Sequence, residues 1–477
     1  MIGSCGYWLK NRCDGGRADR RPGRALAGIL LPLLFAGCAN IDRLGGNFGD
    51  DPLAPLSPEA QALVDRAYAP FDDSDLRDFH VHVLGVGSKD CGTDPNRPDA
   101  VDQRMAANPR LSTWAHPRDR LKALVYLSAS GVGDEDNVEA EYEARLVELI
   151  KALPKHGKSH VLAFDWPYDG PRRDPGQSTF YVPNQCVWRL ARQYPELFVP
   201  IISVNPNRST ALMELDYWAA KGVRYVKWLP NAQAIDASDP AFDPFYRAMI
   251  RNHMILLTHV GDEGAVEAEA HQAYGNPLCF RRPLDMGLKI IMAHSGTLGR
   301  NARLDTAAPE PRPTNLSLFI GMMETPKYEG RLFGEISGVV LRNRLEPDGA
   351  EEPALLRLLN WFNGRGAKHA ARFVNGSDYP LPAVNVVIRL QSFVDHGLIF
   401  AAEKKPLQEI YSRNPLAFDF VLKRTLRLNR STAAAWGLPE RMFATAQGLD
   451  APYSQDIIDQ LENPAARATY TNTRCLQ

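Results

Sequence analysis

Between residues 75 and 425 the chain alternates short, almost wholly apolar runs with longer stretches of helical period. The runs Leu76–Val83, His160–Trp166, Leu197–Val204, Val223–Trp228, Met254–His259, Leu288–His294, Leu332–Ser337 and Ala371–Ser377 are strand candidates. Most of their positions are apolar, without the strict alternation of a sheet that has one wet face, as a parallel strand requires when both faces are covered. Stretches long enough for helices lie between them, among them Ala140–Ala152, Thr210–Ala220, Asp243–Arg251 and Ala354–Phe362. Parallel neighbours need such crossovers, and eight strand-helix units predict an α/β fold of the (β/α)8, or TIM barrel, kind. Leu121–Ser128 reads as a helix behind the start at His116-Pro117, within a long excursion after the first strand. Asp305–Thr314 carries three prolines and reads as a loop, so the connections after strands 1 and 6 are both enlarged.

Composition adds limits. The chain has 477 residues, 44% hydrophobic and 23% charged, enough for a large core and unlike a disordered protein. Its 55 Lys+Arg against 56 Asp+Glu leave no basic excess to hold a phosphate backbone, which argues against nucleic acid as a partner. Residues 1–37 depart from this balance, with Lys10, Arg12, Arg17, Arg20, Arg21 and Arg24 against Asp14 and Asp19. The apolar run Ala25–Gly37 behind them is shorter than the roughly 20 residues that span a bilayer and suits the core of a signal peptide. It ends in Phe35-Ala36-Gly37-Cys38, which resembles the bacterial lipobox, with Phe35 where Leu is more usual. That resemblance implies a lipid on Cys38 as the first mature residue and a membrane anchor. With Ala39 next, rather than the Asp that retains such proteins in the inner membrane, it implies a place in the cell envelope, on the outer membrane and facing the periplasm. Residues 38–74, rich in Gly, Pro, Asp and Ala, read as a tether, 75–425 as the barrel domain and 426–477 as a C-terminal extension. Cys91, Cys186, Cys279 and Cys475 form no CxxC pattern and read as structural, either free and buried or joined in at most two bridges with three pairings open.

The chemistry gathers at strand ends. In Asp78-Phe79-His80-Val81-His82 the period of two puts both imidazoles on one side of a strand, where they can share a cation. His82, His259, His294 and Asp378 each follow an apolar run and stand just before a glycine or a turn, in His82-Val83-Leu84-Gly85, His259-Val260-Gly261, His294-Ser295-Gly296 and Gly376-Ser377-Asp378-Tyr379-Pro380. One such histidine means little; the same placement four times over points to a metal site at one end of a barrel.

This set resembles the amidohydrolase superfamily of metal-dependent barrel enzymes, which carries HxH on the first strand, Lys on the fourth, His on the fifth and sixth and Asp on the eighth. Val226-Lys227-Trp228-Leu229-Pro230 and Ile290-Ile291-Met292-Ala293-His294-Ser295-Gly296 agree with it, and are most similar to the branch that also contains aromatic-acid decarboxylases. The match runs over roughly residues 76–425 and ends in Ser412-Arg413-Asn414-Pro415, like the helix start that closes such domains. The resemblance implies that His80, His82, His259 and Asp378 hold one or two divalent ions, Zn²⁺ most naturally and Mn²⁺ as the other choice. It implies that Asp378 also takes a proton from water, and that His294 faces the substrate as electrophile or acid, or is a ligand if a second ion is present. Lys227 is either carboxylated and bridging or a substrate-facing or structural lysine, since a free ammonium beside a dication is costly. Trp228 at the end of the fourth strand and Arg300 behind His294 are candidates for contacting a small-molecule substrate, Arg300 through a carboxylate. The expected function is hydrolysis of an amide, ester or lactone bond. Two other readings stand beside it: non-oxidative decarboxylation of an aromatic or unsaturated acid, and an inactive binding lipoprotein, against which retention of every ligand position argues.

Overall fold

The computed structural model describes residues 45–46, 51–92, 94, 96–97, 104–305, 312–347, 351–427, 437–467 and 469–475. The expected signal peptide and Cys38 lie outside them. Eight parallel strands follow one another in chain order: β1 (Arg77–His82), β2 (Lys158–Leu162), β3 (Phe198–Ile202), β4 (Tyr225–Trp228), β5 (Ile255–His259), β6 (Ile290–Ala293), β7 (Leu332–Glu335) and β8 (Phe373–Val374). The chain after β8 returns to β1 through hydrogen bonds from Phe79 N to Asn375 O (2.8 Å), Asp378 N to His80 O (2.8 Å) and His82 N to Tyr379 O (3.0 Å). The fold is a (β/α)8 barrel. β2 starts two residues ahead of its apolar run, and the other seven strands fall within theirs. The Leu121–Ser128 run lies inside the helix Pro117–Ala129, as its reading as a helix requires.

Because both faces of each strand are covered, alternation sorts side chains between the barrel interior and the helix layer. Phe79, Leu162, Ile201, Tyr225, Ile255, Leu257, Ile291, Phe333 and Val374 fill the interior. Their strand neighbours Val226, Leu256, Ile290, Met292 and Leu332 face the helices. A bulge in the β1–β2 register between Asp78 and Val81 breaks the alternation once, so that Phe79 joins the interior layer while Val81 packs outward.

Two regions beyond the strands complete this body. In the stretch read as a tether, the helix Pro58–Tyr68 starts at Ser57 and stacks Tyr68 on Phe420, with ring centroids 4.2 Å apart. Residues 437–461 cover the N-terminal ends of the strands. There Ala446 and Leu449 cap the interior, and the Lys289 ammonium donates to the carbonyls of Gly448 (2.6 Å), Leu449 (3.0 Å) and Ala451 (2.7 Å). The helix Pro415–Thr425 opens where the sequence marks a start, with the Asn414 side chain accepting from Leu416 N and Ala417 N. The cysteines form two bridges, Cys91 to Cys186 and Cys279 to Cys475. Among the described residues no helix is long and apolar enough to cross a membrane.

Candidate metal centre

The last interior position of each strand faces the open, C-terminal end of the barrel. On β4 Tyr225 points inward and Lys227 follows two residues later; on β5 Ile255, Leu257 and His259 form the same series; on β7 Phe333 is followed by Glu335. His294 and Asp378 come just past β6 and β8, where the chain turns with φ of 57° and 62°. Such positive φ costs a residue with a Cβ some strain, and this strain sits at the two residues that complete the cluster.

Six residues expected from the sequence therefore converge. His80 Nε2 and His82 Nε2 lie 3.5 and 3.3 Å from Asp378 Oδ1, and His294 Nδ1 lies 3.9 Å from Asp378 Oδ2. The rings of His80 and His82, of His80 and His294, and of His259 and His294 are each 5.0 Å apart between centroids. Lys227 Nζ is 3.1 Å from His80 Nε2, so in this arrangement the ammonium uses the lone pair of an expected ligand atom.

Two acids that the sequence reading passed over belong to the same place. Glu335 is fully buried; its Oε2 accepts from the Ser337 hydroxyl (2.6 Å) and from His294 N (3.2 Å), and stands 3.3 Å from His80 Nδ1. A side chain at Gly376 would run into Glu335, so glycine is what makes room for the acid. The signal was present: Glu335 is the one charged residue in Leu332–Ser337, two positions beyond an interior phenylalanine. Glu263 follows His259 by four residues and sets its carboxylate 3.5 Å from Nδ1. Both contacts orient an imidazole from behind, as carboxylates do for metal-binding histidines.

The hydrogen bonds also place protons. Ser337 spends its hydroxyl hydrogen on Glu335, and His294 Nδ1 faces both Ser337 Oγ (2.8 Å) and Ser337 O (3.2 Å), two acceptors. This network puts a proton on Nδ1 of His294 and leaves Nε2 with its lone pair.

Burial lowers the pKa of His80, His259 and His294 below the usual imidazole value, and for His80 the Lys227 charge adds to it. Burial also brings Lys227 down to about 8. For Asp378 burial works against ionisation, but His80, His294 and the hydrogen bond from His82 outweigh it and hold the group well below the usual carboxylate range. Burial thus favours the lone-pair form of His80, His259 and His294 beside the carboxylate of Asp378. His80, His82 and Asp378 offer ligand atoms within 4.8 Å of one another, as do His80, His294 and Glu335. His259 Nε2 is buried with no hydrogen-bond partner among the described residues. A buried, unpaired ring nitrogen beside an ionised carboxylate and two further imidazoles is a donor set suited to a divalent cation.

The remaining expectations fall elsewhere. Trp228 points out of the barrel: its ring packs 5.4 Å from Phe245 and its indole N–H donates to Val204 O (2.8 Å), so it is core and not pocket wall. Arg300 donates to Arg312 O (2.7 Å) and pairs with Glu351 (3.1 Å).

No protein-family model matches the chain, and no curated protein matches it. Solved structures do align with it. An uncharacterised TIM-barrel protein from Bordetella bronchiseptica is 15% identical over 70% of this chain and 99% of its own, with a TM-score of 0.41. A probable 2-pyrone-4,6-dicarboxylic acid hydrolase from Acinetobacter baumannii is 13% identical over 71% and 99%, with a TM-score of 0.36. The 5-carboxyvanillate decarboxylase of Sphingomonas paucimobilis is 15% identical over 67% and 95%, with a TM-score of 0.33.

Proposed function

We propose that the protein is a metal-dependent hydrolase of the amidohydrolase superfamily that cleaves an amide, ester or lactone bond of a small organic substrate. The observation that carries this reading is the convergence of His80, His82, His259, His294 and Asp378 at the mouth of the barrel, with a buried ring nitrogen of His259 left open. When bound, a divalent cation supplies a Lewis acid for a carbonyl oxygen and lowers the pKa of water toward neutrality. His80, His82, His259 and Asp378 would hold it, with Glu335 and Glu263 fixing the two imidazoles behind them. Asp378, ionised at neutral pH, takes the proton of the attacking water and passes it toward the leaving group. His294, with Nδ1–H engaged by Ser337, acts in this network as a lone-pair donor at Nε2 and so serves as ligand or proton acceptor.

The test is metal analysis of the purified protein together with turnover of esters, lactones, amides and hydroxybenzoates. A stoichiometric divalent ion and hydrolysis of one of the first three classes are expected. Hydroxybenzoate decarboxylation alone would reassign the reaction, and a protein that never holds a metal would overturn the reading.

We also propose that Cys38 carries a lipid that anchors the protein to the cell envelope, on the strength of Phe35-Ala36-Gly37-Cys38 behind the apolar run. Cys38→Ser should move the protein from the membrane to the soluble fraction; unchanged fractionation and mass would end that idea.

A further inference from the structure

Arg344 is 6% exposed and lies nine residues beyond the end of β7. Its Nε donates to Thr297 Oγ1 (3.1 Å), whose own hydroxyl donates to His294 O (2.8 Å), so the guanidinium is tied to the turn that carries His294. Its Nη1 is buried and has no hydrogen-bond partner among the described residues, and no carboxylate among them forms an ion pair with it. The acids whose charge reaches it are Asp378, Glu263 and Asp262, and its own charge reaches His259, so it lies within electrostatic reach of the same site. The loop behind it is held by Arg344 N to Leu341 O (2.9 Å) and Arg342 N to Val387 O (2.7 Å). Arg342, two residues earlier, turns outward to Glu346 (2.9 Å), so the inward course of Arg344 is particular to that residue.

A buried guanidinium with an open nitrogen is costly unless an anion completes it, and more so beside a site built for a cation. With Nε fixed to Thr297, the remaining N–H groups keep the planar fork that matches a carboxylate and that an ammonium lacks.

We propose that Arg344 binds a carboxylate of the substrate, which makes small organic carboxylates the ligand class of this site, the anion lying between Arg344 and the His80, His82, His259 and Asp378 cluster. The proposal rests on the reading of that cluster as a substrate site, and it gives to Arg344 the role that the sequence assigned to Arg300.

The experiment is calorimetric titration of the zinc-loaded protein with benzoate and acetate, each against its neutral amide, with zinc content measured in every sample. At least one acid should bind tenfold or more tighter than its amide. Arg344→Gln should lose that preference, with the acid binding at least tenfold weaker at unchanged zinc content. Arg344→Lys, which keeps the charge without the fork, should fall between the two, and it decides the matter should Arg344→Gln not fold. No preference for either acid in the wild type, or full retention of it in the variants, overturns the proposal and leaves the metal reading standing. A wild type that does not retain zinc would instead fail the metal reading itself.

Discussion

Glu335 Oε2 stands 3.3 Å from Nδ1 of His80, and both side chains are shut off from solvent, 0% and 1% exposed. The contact turns Nε2 of His80 toward Asp378 and Lys227. The same carboxylate holds Ser337 and the backbone of His294, so one acid on β7 sets the pose of two histidines from β1 and β6. Glu335→Gln keeps the volume but presents an amide to donors that need an acceptor. Metal affinity should fall roughly 10–100-fold, the usual effect of removing such a support. Competition with a zinc-buffering chelator measures it, and an unchanged affinity would remove Glu335 from the site.

His80→Ala, His82→Ala and His259→Ala each delete a ligand atom that no neighbour can replace. Zinc content after dialysis should drop in all three, most at His80, whose imidazole belongs to both candidate ligand groups. Full occupancy in all three variants would contradict the assignment.

Asp378→Asn separates chemistry from metal binding, because the amide keeps an oxygen donor and loses basicity. A substantial share of the metal should remain while turnover falls by roughly 10²–10⁴-fold, as for loss of a positioned general base. The wild-type rate should hold down to acid pH and decline only below the ordinary carboxylate pKa of about 4, because the folded environment depresses this group. Near-normal turnover in the variant with metal bound would pass the base role to His294.

His160 gives a test of stability away from the chemistry. It lies stacked on Phe79, ring centroids 4.0 Å apart, and its Nδ1 is 3.2 Å from Asp78 O. Burial lowers its pKa from 6.5 to about 3. The unfolded chain therefore binds a proton on this group between those values while the folded chain does not. Its contribution is complete above pH 6.5 and is lost as pH falls toward 3. In His160→Phe the stacking remains and the titration goes. Denaturant unfolding between pH 4 and 8 should show an acid-side slope shallower by up to one proton, about 1.4 kcal/mol per pH unit. An unchanged slope would show that His160 does not titrate this way.

What the sequence by itself determined was local. Apolar runs bounded by turn residues placed the eight strands, and a polar residue at the end of such a run placed His80, His82, Lys227, His259, His294 and Asp378, because strand formation and strand ending are both written in consecutive residues. What only the tertiary structure decided was direction. In a strand buried on both faces, apolar positions do not reveal which alternate set looks inward, so Trp228 could read as pocket wall while Lys227 beside it was the inward residue. The same ambiguity hid Glu335, whose role exists only because β7 lies between β6 and β8. Pairing of the four cysteines, the partner that draws Arg300 away and the open nitrogen of Arg344 are likewise matters of which distant segments meet. Those meetings follow from closing the barrel, a condition on the whole chain that no short stretch of it contains.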